Sequence, residues 1–103
     1  MALDHISGLP TPLSGLSKIA SLIDAARQEN ADCPSILLDN GDLLQGSAMA
    51  DVMVETLVKT KGAEHPLRAC IDALGYDAIG LGNHDLDYGF ATARAVLGAM
   101  PCP

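Results

Sequence analysis

Two short apolar runs, each ending in a glycine-bearing polar loop, limit what this chain can fold into. The first is Ser35-Ile36-Leu37-Leu38, followed by Asp39-Asn40-Gly41-Asp42. The second is Ala78-Ile79-Gly80-Leu81, followed by Gly82-Asn83-His84-Asp85. Short apolar runs without alternation have the pattern of strands covered on both faces. Around them apolar residues recur at helical spacing. Leu16, Ile19, Ala20, Ile23 and Ala26 predict a helix from near Gly15 to Asn30, capped by Ser14, with Lys18, Asp24 and Arg27 outward. A second helix is predicted over about 48–59. After a polar connector at 61–65, in which His65 marks a helix start, Pro66 opens a third helix bearing Leu67, Cys70, Ile71 and Leu74. Gly75 takes the left-handed position after it. A last short helix is predicted over 91–97.

This alternation predicts an α/β fold with parallel strands and flanking helices. Residues 1–14, with Gly8, Pro10 and Pro12, read as an irregular lead-in. Residues 15–103 read as part of one domain, incomplete at both ends. Two strands do not make a stable sheet alone, and the pattern calls for another strand near Met100-Pro101-Cys102-Pro103.

Composition narrows the function classes. With 103 residues, 49% of them hydrophobic but only three aromatic (Tyr76, Tyr88, Phe90), the core must be aliphatic. The net charge of −7, with six basic residues, gives no footprint for nucleic acid or an anionic membrane. It would also repel a phosphate ester unless bound cations supplied positive charge. No apolar run reaches the ~20 residues of a membrane span, and no export signal is visible at Met1-Ala2-Leu3-Asp4-His5. Cys33, Cys70 and Cys102 form no close pair, so they read as reduced thiols with Cys70 in the core, and not as a zinc site.

Both polar loops follow a strand directly, and ligands of open α/β sheets bind beyond the carboxyl ends of the strands. Asp42 can be a turn residue or a carboxylate bridging two divalent cations, an arrangement suited to phosphoryl displacement. Asn83 offers a hard amide oxygen. His84 can donate a hydrogen bond to a phosphoryl oxygen or protonate a leaving alkoxide, and needs an orienting carboxylate. Asp85 and Asp87 are both near enough. The plain alternative for the second loop is a helix cap.

Together, Gly41-Asp42 and Gly82-Asn83-His84-Asp85 resemble the calcineurin-like metallophosphoesterases. The segments Leu37-Leu38-Asp39-Asn40-Gly41-Asp42-Leu43-Leu44-Gln45-Gly46 and Ala73-Leu74-Gly75-Tyr76-Asp77-Ala78 look like the branch of 5′-nucleotidases and 2′,3′-cyclic-nucleotide phosphodiesterases. The resemblance covers residues 15 to about 98. It implies part of a layered metallophosphoesterase sandwich and two divalent metals, of Mn, Zn, Mg or Fe/Co type. Asp42 is implied as the bridging ligand and Asn83 as a ligand to one metal. His84 is implied as the phosphoryl-contacting residue and Asp87 as its dyad partner, with Asp85 in a supporting place. The implied substrates are nucleotides or other phosphate esters, in a branch that is largely periplasmic or extracellular.

The chain departs from that family in two ways. It has no Asp-x-His, since Asp4-His5 is an adjacent pair, and nothing after Asp87 supplies the later histidines of a Gly-His-x-His segment. With at most two protein ligands, the isolated chain is expected to show little phosphatase activity. Two alternatives stand beside the enzyme reading. One is an inactive truncated remnant. The other is a nucleotide-binding module using Gly80-Leu81-Gly82, in which the third glycine of the fingerprint would fall at Asp85.

Overall fold

The computed structural model describes residues 15–60 and 63–103, in two compact units, 1–35 and 36–103. The first unit contributes one helix, α1 (Leu16–Glu29). Gly15, at φ 115°, is its N-cap and offers no side chain to the first turn. Its carbonyl instead accepts from the N–H groups of Lys18 and Ile19, at 3.0 and 3.2 Å. At the other end the Asn30 side-chain amide donates to the Ala26 carbonyl at 2.8 Å, satisfying one of the orphan carbonyls of a helix C-terminus. The helix expected over 15–30 is therefore present, while its expected Ser14 cap and the 1–14 lead-in lie outside the described residues.

The second unit runs β1 (Leu38–Asp39), α2 (Ala48–Lys59), α3 (Leu67–Leu74), β2 (Ala78–Ile79), a 3₁₀ turn at His84–Leu86 and α4 (Phe90–Leu97). The two strands pair in parallel, Leu38 opposite Ala78 and Asp39 opposite Ile79. Asp77 fixes that register at the strand entrance. Its N–H donates to the Leu37 carbonyl at 2.9 Å, and its carboxylate accepts the Leu37 N–H at 2.7 Å. Gly80 N–H then donates to Asp39 O, whereas Ile79 N–H donates to Pro103 O, both at 2.8 Å. Adjacent residues of a strand point their N–H groups to opposite edges, so residue 103 lies along the edge of β2 away from β1.

The parallel α/β order matches the sequence reading, and α2 has the expected limits. Ser47 caps α2 by accepting from Ala50 N–H, with Asp51 in the first turn and Lys59 in the last, each complementing the helix dipole. Gly75 ends α3 in the left-handed region, at φ 63° and ψ 53°. Two expectations need correction. The strands are shorter than the apolar runs, and the first is not covered on both faces. Ile36 and Leu38 are 75% and 63% exposed, and Leu81 is 57% exposed. A two-stranded ladder has one partner per strand, and no further layer of the described residues covers these side chains. Cys70 is half-buried, and it is Cys102 that packs against the core.

The core is aliphatic: Leu44, Val54, Ile71, Ala93, Val96 and Met100. α2, α3 and α4 each contribute to it, and Leu44 comes from the loop after β1, where it is wholly buried. That loop is therefore pinned from within. Among the described residues no helix is long and apolar enough to cross a membrane.

Candidate functional site

The loops after β1 and β2 meet backbone to backbone. A Cβ built on Gly41, which sits at φ 89°, would lie 2.8 Å from Gly82 Cα. A Cβ on Gly82 would lie 2.7 Å from Asp42 Cγ. Both are closer than real Cβ contacts come, so glycine at 41 and 82 is what lets the loops touch. Asp39 supports the first turn by accepting Gly41 N–H on Oδ1 at 2.8 Å.

Asp42 follows in a left-handed conformation, φ 61°, the only such non-glycine among the described residues. That conformation turns the N–H groups of residues 42, 43 and 44 toward one point, forming an anion-binding concavity. Asp85 fills it. Its Oδ2 accepts from Asp42 and Gly82 at 2.8 and 2.9 Å, and its Oδ1 from Leu43 and Leu44 at 2.8 and 2.9 Å. The Asp85 side chain is fully buried. A buried carboxylate is costly unless fully hydrogen-bonded, and four N–H donors satisfy its two oxygens.

The outer face of this junction carries the other predicted residues. Asp42 Oδ1 accepts the backbone N–H of His84 at 2.9 Å, which lays an exposed carboxylate beside the second loop. Asn83 is exposed and begins the 3₁₀ turn. The His84 ring is exposed, with Nδ1 2.8 Å from Asp87 Oδ2. The hydrogen bond to Asp87 raises the His84 pKa, and the charges of Asp87, Asp42 and Asp85 push the same way. Tyr88, one residue on, donates its hydroxyl to Asp51 of α2, and that bond lifts the phenol to about 12.

The structure thus separates two carboxylates that the sequence left equivalent. Asp87 orients the imidazole, while Asp85 makes no bond to the ring and joins the loops through their backbones. The sequence signal for this was a donor count. Loop 41–46 with two glycines presents N–H groups that no strand partner takes, and buried N–H groups are almost always satisfied. Asp85 also weighs against a dinucleotide-binding turn, because Gly82 N–H and the concavity are already engaged by a carboxylate. Among the described residues no group of three or more His, Cys, Asp or Glu is placed to hold a metal.

Curated relatives carry the same segment. The chain is 38% identical over all 103 residues to a 2′,3′-cyclic-nucleotide 2′-phosphodiesterase/3′-nucleotidase of Yersinia enterocolitica, covering 15% of that protein. It is 42% identical over 103 residues to the Salmonella typhimurium protein of the same name, covering 16% of it. This chain is a homologue of one segment of these proteins. A Haemophilus influenzae protein of the same name is 40% identical over 86 residues, 84% of this chain and 13% of that protein. The chain therefore spans about one-seventh of the length of these three relatives. No family model and no solved structure matches it. The family resemblance drawn from the two loops agrees with these relatives.

Proposed function

We propose that the two loops are the central part of a two-metal site that hydrolyses nucleotide phosphoesters, of the 2′,3′-cyclic-nucleotide and 3′-nucleotide kind named for the relatives. β1 and β2 are then the inner strands of a layered metallophosphoesterase sandwich. The observation that carries this reading is the placement of the Asp42 carboxylate against the second loop, next to a His84 ring pinned by Asp87. The donor chemistry fits hard divalent cations. Asp42 offers an exposed carboxylate and Asn83 an exposed amide oxygen.

In this reading Asp42 and Asn83 would be among the residues that hold the cations. Two oxygen donors do not complete either coordination sphere, so further ligands come from outside these loops, as the family resemblance implies. Bound cations supply the positive charge and Lewis acidity that a chain of net charge −7 lacks. His84 uses Nδ1 to hold Asp87, leaving Nε2 to donate to a phosphoryl oxygen or to the leaving alkoxide. Asp87 favours the charged imidazolium, which is the form that neutralises charge developing on those oxygens.

The test is kinetic, in a full-length protein carrying this segment. His84→Ala should lower kcat on a 2′,3′-cyclic nucleotide by about 10²-fold or more while leaving metal content unchanged. Wild-type turnover in that variant would contradict the assignment.

A further inference from the structure

Asp42 is a metal ligand, in the reading above, only if its carboxylate faces outward, and its left-handed backbone decides where it points. A residue with a Cβ pays for φ 61°, even an aspartate, which tolerates that region better than most. Three features of the fold hold it. Gly41 lets the backbone approach Gly82, Leu44 is sunk in the core two residues later, and the N–H groups of Asp42, Leu43 and Leu44 converge on Asp85. The fourth bond of that carboxylate, from Gly82, belongs to the loop that delivers Asn83 and His84. One buried side chain therefore sets both the conformation of the ligand at 42 and the distance between the loops.

We infer that Asp85 is a positioning residue, an internal anion that holds the Asp42 loop in its metal-binding shape and locks it to the Asn83-His84 turn. It touches neither substrate nor metal. The inference rests on the two-metal reading for its consequence but not for its mechanism. A neutral amide cannot replace the carboxylate. Each oxygen of Asp85 accepts two N–H groups, so either orientation of an asparagine would aim NH₂ hydrogens at two backbone donors. Glutamate, one methylene longer, would have to fit where the Asp85 side chain is already fully buried and each of its oxygens is bonded to two N–H groups.

Hydrogen–deuterium exchange with residue resolution, on metal-free full-length protein carrying this segment, tests it. In the wild type the amides of residues 42, 43, 44 and 82 should exchange far more slowly than those of the exposed residues beside them. In Asp85→Asn the same four should speed up together, by at least about tenfold, with α3 amides unchanged, and the Mn²⁺ Kd should weaken by at least about tenfold. Asp85→Glu should behave like Asp85→Asn in both measurements. Four amides that exchange freely in the wild type would overturn the inference, and that arm needs no variant to fold. Loosened loops with an unchanged Mn²⁺ Kd would overturn the positioning role. A wild type that neither binds Mn²⁺ nor cleaves a cyclic nucleotide would remove the two-metal reading, while the exchange rates would still judge the Asp85 lock.

Discussion

His84 and His65 respond to pH in opposite directions, for reasons visible in their surroundings. His84 has its pKa raised by the Asp87 hydrogen bond. Its contribution to stability is present below the unfolded value of about 6.5 and is lost as pH rises through the higher folded value. Asp87→Asn should lower the His84 ring pKa toward the unfolded value, read by NMR of the imidazole. His65 is buried, and its pKa is lowered by that burial. Its Nδ1 accepts Leu67 N–H at 3.2 Å, so it serves the start of α3 as the sequence suggested. Nε2 is buried and has no hydrogen-bond partner among the described residues. Between the lowered folded value and about 6.5 the unfolded chain binds more protons, so stability falls as pH drops through that window. His65→Asn keeps an acceptor for the helix start and removes the titration. The slope of melting temperature against pH below about 6.5 should shrink in that variant. Asp85→Ala leaves four backbone donors without their acceptor. At about 1–3 kcal/mol for each group left fully buried, a loss of at least about 3 kcal/mol is expected in denaturant unfolding.

At the scale of elements, the two strand-loop units were legible because their chemistry is local. Gly75 after α3 is a short-range signal, and the structure places it in the left-handed position expected; each strand lies at the end of, or within, its apolar run. The strand lengths and the burial of Ile36 and Leu38 were not legible. An apolar run records what a strand can be covered by, whereas actual cover depends on neighbours that the run does not encode. The Asp85 lock was also hidden, since three of its four partners lie 41 to 43 residues away along the chain. Only the fold brings them within reach. Gly41→Ala tests the junction of the loops at this scale. The added methyl would meet backbone of the facing loop, in a φ region that L-residues rarely adopt. It should cost about 1–3 kcal/mol of stability and displace Asp42, with activity falling more than global stability does. An unchanged denaturation midpoint would mean that the loops do not touch as described.

For the molecule as a whole, net charge is the dominant constraint on the site. In the proposed reading an acidic chain binding phosphate esters would need cations at the site, and among the described residues Asp42 is the exposed carboxylate bonded across the two loops. The most direct measurement is anomalous diffraction from crystals of full-length protein carrying this segment, grown with Mn²⁺. Two Mn²⁺ peaks should appear, both in contact with the Asp42 carboxylate and one also with the Asn83 amide oxygen. Metal bound elsewhere, with residues 42 and 83 left uncoordinated, would contradict a metal-ligating role for these loops.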